Sequence, residues 1–135
     1  MSQRDLEGFK RAVEAGNRGD VEAVLEELDP EVEWHPALIA SLEAEATVYR
    51  GHDGVREWFQ AASETFPERH TEVEEIRNLG DRIVAIGHIR MRGKASGAET
   101  ESPIAYLVEY GNGKATQVRS YLDPQEALEA AGLSE

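Results

Sequence analysis

Cysteine is missing from all 135 residues, which excludes disulfide bonds and thiolate chemistry but does not exclude secretion. Positive charge is scarce. Fourteen lysines and arginines stand against 27 aspartates and glutamates, and the formal charge of -13 repels phosphate backbones and anionic membrane surfaces. Neither nucleic acid nor a membrane is an expected partner. Long hydrophobic runs are lacking too: nowhere do roughly 18 apolar residues follow one another, and the opening MSQRDLEGFKR has no apolar stretch of the signal-peptide kind. The expected location is cytoplasmic. His35, His52, His70 and His88 are not spaced as ligands on one element, and no HExxH, GxGxxG or GxxxxGK[ST] segment occurs. No metal and no cofactor are expected.

What is present fits one domain, 1–135, with a single core, since 40% of the residues are apolar. In RDLEGFKRAVEAG, Leu6, Phe9 and Val13 recur at helical spacing and line one face, with Gly16 as the expected end. Asp20 can cap a second helix, VEAVLEEL, with Val21, Val24, Leu25 and Leu28 as its buried face. EVEWH, residues 31–35, alternates as a short strand, and Pro36 stops it because proline has no amide donor. Residues 37–50 admit a helical turn or two, or a flap. In GHDGVREWFQAASETFPE, Asp53 can cap a helix carrying Val55, Trp58, Phe59, Ala62 and Phe66, which ends before Pro67.

The grammar then changes to strands: HTEVEEIRNL, RIVAIGHIRMRG, SPIAYLVEY and KATQVRSYL, separated by LGD, GKASG and YGNGK. Asp123, Pro124 and Glu126 in DPQE form a reciprocal capping arrangement for a short helix at about 124–131, with Leu122 available to pack over its first turn. Helices, a strand, a helix and then a strand meander make an α+β order. A strongly curved sheet can wrap around such helices and leave a conical pocket at its open end, with Gly87, Gly93 and Gly97 permitting the bends. The longest strands are apolar at successive positions, so both faces should be covered, one by helices and one by a second subunit. A homodimer through some of Val84, Ile86, Tyr106, Val108, Val118 and Tyr121 is expected, with the helices or the C-terminal tail as the alternative cover.

With this order, the segments AGNRGDVEAVLEELDPEVEWHP, YRGHDGVREWF, GDRIVAIGHIRMRG and YGNGKATQVRSYLDPQEAL make the chain resemble the SnoaL-like polyketide cyclase family of the nuclear transport factor 2-like superfamily, over nearly its whole length. The resemblance implies a conical α+β barrel, a strongly curved mixed β-sheet around N-terminal helices, often homodimeric. The superfamily includes ketosteroid isomerases, epoxide hydrolases, cyclases and proteins without known activity, so the fold does not choose a reaction.

Against the ketosteroid isomerases, His35 falls at the general-base position, while Ala12 and Ala105 fall at the positions of the two oxyanion donors. Neither alanine has a side-chain donor. Against the limonene epoxide hydrolases, Gly87, Ile89 and Ser120 replace the charged residues. The resemblance also favours Gly87, Ile89 and Met91 as the pocket face of their strand and leaves His88 and Arg90 on the outer one.

The expected site therefore combines ligand-binding residues Phe9, Val13, Trp58, Phe59, Ile89, Met91 and Ser120 with His35 as a tentative catalytic group facing the cavity mouth. An imidazole titrates near neutrality, which suits a general base. Trp34 reads as core or interface, Asp123 as a cap, and Arg119 as a partner for a carboxylate, while Tyr106 and Tyr121 can donate hydrogen bonds or fill the sheet. The expected function is a pocket for a small apolar or polyketide-like molecule. The alternative is an isomerase, cyclase or hydrolase using His35.

Overall fold

The computed structural model describes residues 3–37, 48–94 and 97–133. Helix α1, Gln3–Arg18, runs past Gly16 and stops at Gly19, whose φ of 75° favours a residue without a Cβ. Gly16 stays helical with the Val24 side chain against it. Helix α2, Val21–Leu25, begins where Asp20 accepts from the Ala23 amide at 3.1 Å. It is shorter than its apolar pattern suggests, because Leu28 already belongs to strand β1, Leu28–His35.

Strand β2 is the short Tyr49–Arg50, paired antiparallel to β1. Of the expected helical turns or flap at 37–50, residues 38–47 lie outside the described residues. Helix α3 spans Gly51–Thr65, so Asp53 is inside the first turn instead of capping it, and its carboxylate takes a 2.8 Å bond from Arg56. Strands β3, Glu68–Asn78, β4, Arg82–Arg92, β5, Glu99–Gly111, and β6, Lys114–Tyr121, follow, then helix α4, Pro124–Ala130.

The strands form one curved, unclosed six-stranded sheet in the order β2-β1-β6-β5-β4-β3. The β1–β6 pair is parallel and the others antiparallel, so the sheet is mixed. The β3–β4 register shifts between Val73 and Glu75, an irregularity of the kind that lets a strand bend. Gly87 lies opposite that bulge, and a Cβ there would sit 1.9 Å from the Glu72 carbonyl oxygen. Only a glycine allows the two backbones to come so close.

Alternation sorts the strands into two faces. Ile83 and Ala85 of β4, Val108 of β5 and Ala115 and Val118 of β6 are buried in one cluster with Phe9, Val55, Trp58 and Phe59 of α1 and α3. On the outer face, Val84, Ala105 and Leu107 are buried against Ala127, Leu128 and Ala131 in and just after α4. The helix is fastened by Asp123, which accepts from the Gln125 amide, and by Arg82, which donates to the Ala131 carbonyl at 3.0 Å. In the expected reciprocal cap, the Glu126 contact to Asp123 is the ordinary backbone one, and Leu122 stays exposed instead of folding over the first turn.

This arrangement corrects the expected subunit surface. Tyr106, Val108 and Val118 face inward, and Val84 is fully buried beneath α4. Only Ile86 and Tyr121 of the six remain half-buried at the outer face. The chain's own last helix covers much of the surface that the apolar pattern had suggested for a partner. Among the described residues no helix is long and apolar enough to cross a membrane.

Candidate functional site

A cavity of about 120 Å³ lies between α1, α3 and the inner face of the sheet. Its walls are mostly apolar: Phe9 and Val13 come from α1, Trp58 and Phe59 from α3, and Ile89, Ile104 and Val108 from the sheet. Trp34 and Pro36 close one side. The Trp34 ring centroid stands 5.5 Å from that of Trp58 and 5.8 Å from that of Phe59, while Trp58 and Phe59 meet edge to face at 5.0 Å. Such geometry suits the ring quadrupoles and holds the aromatic wall rigid. The Trp34 indole N–H is buried in this wall with no hydrogen-bond partner among the described residues.

Of the residues expected at the site, Phe9, Val13, Trp58, Phe59, Ile89 and Ser120 border this cavity. Ser120 is already engaged, accepting from the Ala37 amide at 2.7 Å. Met91 is not part of the lining. It lies near the end of β4, packed with Ile89, Ile104 and Phe66, and borders a separate polar groove.

His35 is also absent from the lining, for a reason of strand parity: Trp34 and Pro36 face in, so the residue between them turns out. Its imidazole has Glu33 Oε1 at 3.4 Å and pairs in register with Arg119 on β6. His35 therefore does not face the cavity. His88 is on the outer face, 2.9 Å from Glu74, and Arg119 reaches Gln117 Oε1 at 3.0 Å instead of a carboxylate. Ala12 does line the cavity, whereas Ala105 is turned toward α4, with its neighbours Ile104 and Tyr106 on the cavity wall.

The polar part of the cavity is built from residues that the sequence reading did not single out for it. Asn17 uses both ends of its amide on Thr71, donating to the carbonyl at 2.9 Å and accepting from the amide at 2.8 Å, which ties α1 to β3. The Thr71 hydroxyl is 3.4 Å from the Tyr106 hydroxyl. Burial pushes the Tyr106 phenol above its ordinary range, opposed by Thr71 and by the charge of Arg69. It is a neutral donor at pH 7. Tyr110 is pushed up by burial and by nearby Asp5 and Glu27, so it too stays protonated.

Arg69 completes this part. Its guanidinium carbon lies 5.5 Å from the Trp58 and Phe59 ring centroids, and burial lowers its pKa, partly countered by Tyr106. Elsewhere on the wall, Glu27 is held by Arg11 through bonds of 3.0 and 3.2 Å. Among the described lining residues Glu27 is the one carboxylate, and none is a histidine. The site can hold an apolar body and donate hydrogen bonds to it. A free general base is not among these groups.

No curated protein matches the sequence. Among solved structures, an NTF2-like protein of unknown function from Burkholderia pseudomallei is 24% identical, with a TM-score of 0.82 over 96% of this chain and 97% of that one. TerC, co-crystallised with polyporic acid, is 20% identical, with a TM-score of 0.81 over 94% of this chain and 97% of its own. A putative SnoaL-like polyketide cyclase from Jannaschia sp. is 16% identical, with a TM-score of 0.77 over 96% and 94% of the two chains. At these identities the likeness is one of fold. The family model described as the SnoaL-like domain matches residues 9–118, from Phe9 on the first cavity helix to Val118 on the last strand. That match spans both walls of the cavity, and the chain belongs to the SnoaL-like domain family.

Proposed function

We propose that the protein binds a small, mainly apolar molecule of one or two rings in the cavity between α1, α3 and the sheet. The observation that carries this reading is the enclosed wall of Phe9, Trp34, Trp58, Phe59, Ile89 and Ile104, with a few oriented donors on one part of it. Its volume is near the scale of about 150 Å³ at which an engineered apolar cavity admits benzene. TerC, of the same fold, was crystallised with polyporic acid, which supports a small organic ligand for this fold.

The enzyme reading, an isomerase, cyclase or hydrolase with His35 as base, has less support because His35 is outside the cavity lining and Glu27 is paired with Arg11. Tyr106 suits the role of an oxygen-holding donor in either reading. A cytoplasmic single-domain protein is the setting we propose on the sequence pattern. A homodimer is proposed on the same basis, with Ile86 and Tyr121 as its remaining outer-face groups. Sedimentation equilibrium showing a monomer at high micromolar concentration would remove the dimer.

Trp34 and Trp58 provide the readout for the ligand. Titration with aromatic ketones, quinones and lactones should quench their emission saturably and raise the melting temperature of the same sample. A library in which no compound produces either change overturns the binding reading. Turnover assays on each binder then separate a binder from an enzyme.

A further inference from the structure

Arg69 is the one lysine or arginine among the described residues lining the cavity. It has no carboxylate partner among the described residues, in a chain where acidic residues outnumber basic ones by 27 to 14. Arg11 holds Glu27 at the cavity wall, and Arg56 and Arg92 hold carboxylates on the exposed surface, where such pairs contribute little. Arg69 instead donates through Nε to the Phe66 carbonyl at 3.2 Å and through Nη2 to Ser63 Oγ at 3.4 Å. Its Nη1 has no partner among the described residues. The faces of Trp58 and Phe59 fix the guanidinium plane.

A half-buried guanidinium not paired with a carboxylate gains when something negative occupies the space beside it. The surroundings point the same way. Arg69 also borders the adjacent groove, which holds Arg18, His70, Arg90 and Arg92. The groove's two acids, Glu68 and Glu99, are both bound by Arg92, Arg18 lies 3.8 Å from Asp20, and Arg90 has no carboxylate partner among the described residues. Arg69 thus stands where the cavity meets a groove lined by more basic than acidic side chains, and a local excess of this kind draws in anions. Tyr106, adjoining Arg69 electrostatically and held neutral by burial, supplies a second donor without adding charge.

We propose that the ligand carries an anionic oxygen group, a carboxylate or an acidic enol, on its apolar ring body, and that Arg69 with Tyr106 holds that oxygen. This rests on the cavity being a small-molecule site and adds the charge of its occupant. Arg69 is a specificity residue in this scheme. Two parallel N–H groups of a guanidinium match the two oxygens of a carboxylate, whereas a neutral amide of the same shape offers a weaker acceptor and no charge.

The experiment uses two isosteric pairs, benzoate with benzamide and 2-naphthoate with 2-naphthamide, titrated calorimetrically into the full chain at pH 7. The carboxylate of at least one pair should bind roughly tenfold or more tightly than its amide. Arg69→Met should weaken the carboxylate far more than the amide and so erase that preference, and Arg69→Lys should retain part of it. Melting curves check that both variants fold. Equal affinities for acid and amide in the unmodified protein overturn the charge assignment while the small-molecule reading stands, as does a preference that survives in Arg69→Met. Failure of all four compounds to bind overturns the assignment, and failure of the wider library as well overturns the binding reading beneath it.

Discussion

The two faces of strands β4 and β5 carry similar apolar residues and come to different ends. Outside, Val84, Ala105 and Leu107 meet Ala127, Leu128 and Ala131 in a packed layer under a seven-residue helix. Inside, Ile89, Ile104 and Val108 border a cavity that the aromatic side chains of α1 and α3 line without filling. Composition does not separate the two faces. What separates them is how far the cover fills the space: the α4 side chains close over the outer residues, whereas a cavity of about 120 Å³ remains on the inner side. A face that can close is stabilising core, and one kept apart by curvature becomes a site.

The largest effect should therefore come from the closed side. Leu128→Ala removes a side chain buried to 6% exposure and is expected to cost about 2–4 kcal/mol in urea unfolding, with ligand affinity changed little. A cost below about 1 kcal/mol would mean that α4 is a loose flap and that the contrast between faces is false.

A second difference is one of pH. The buried members of the outer cluster have no ionisable side chain, whereas the inner face carries Tyr106 and Tyr110, both pushed above the ordinary phenol value of 10.0 by burial. The neutral phenol is favoured in the folded protein, so this stabilisation is complete below pH 10 and is lost as pH rises from there through the folded values. Each tyrosine should contribute a fall of about 1.4 kcal/mol per pH unit over that window. Denaturant melts between pH 9 and 12, compared with a Tyr106→Phe, Tyr110→Phe double variant, should show a flatter alkaline limb in the variant. Identical limbs would mean that neither phenol is shielded.

The smallest effect on stability is expected from filling the open side. Ala12→Leu projects three further carbons toward the cavity and should leave stability within about 1 kcal/mol of the parent while abolishing ligand binding. If it costs as much as Leu128→Ala, the inner face is packed as closely as the outer one.

The sequence revealed the elements better than their neighbours. The β4 run RIVAIGHIRMR is apolar at successive positions, which correctly implies two covered faces, but local pattern does not say whether a helix or another chain provides the cover. The answer lay some 30 residues on, in an α4 apolar face only seven residues long. Parity could have oriented His35: Val32 is fully buried, so Trp34 shares its side and His35 does not. The resemblance to a general-base position outweighed that signal.

Arg69 was hidden differently. In ERHTEVEE it looks like one more charge on a solvated strand, and only its shared parity with Thr71 and Val73 sets it apart. Asn17 read as part of a turn until the helix proved to continue to Arg18. In both cases the local residue type was ordinary, and the long-range contact brought it to the cavity wall. The fold class was therefore legible in periodicity, while the polar part of the site was not.

The parallel pairing of β1 with β6 has a kinetic consequence. It joins Trp34 to Val118, more than half the chain apart, whereas β3, β4 and β5 are neighbours in sequence and join through short turns. Closing the longer loop carries the greater entropy loss in the sheet, and its reward comes only when β6 has emerged from the ribosome. The meander can fold as a local unit before that. The Trp34 wall, however, cannot be set against Trp58 and Phe59 until the first strand finds the last one, so the cavity is the part of the molecule whose assembly waits for nearly the whole chain.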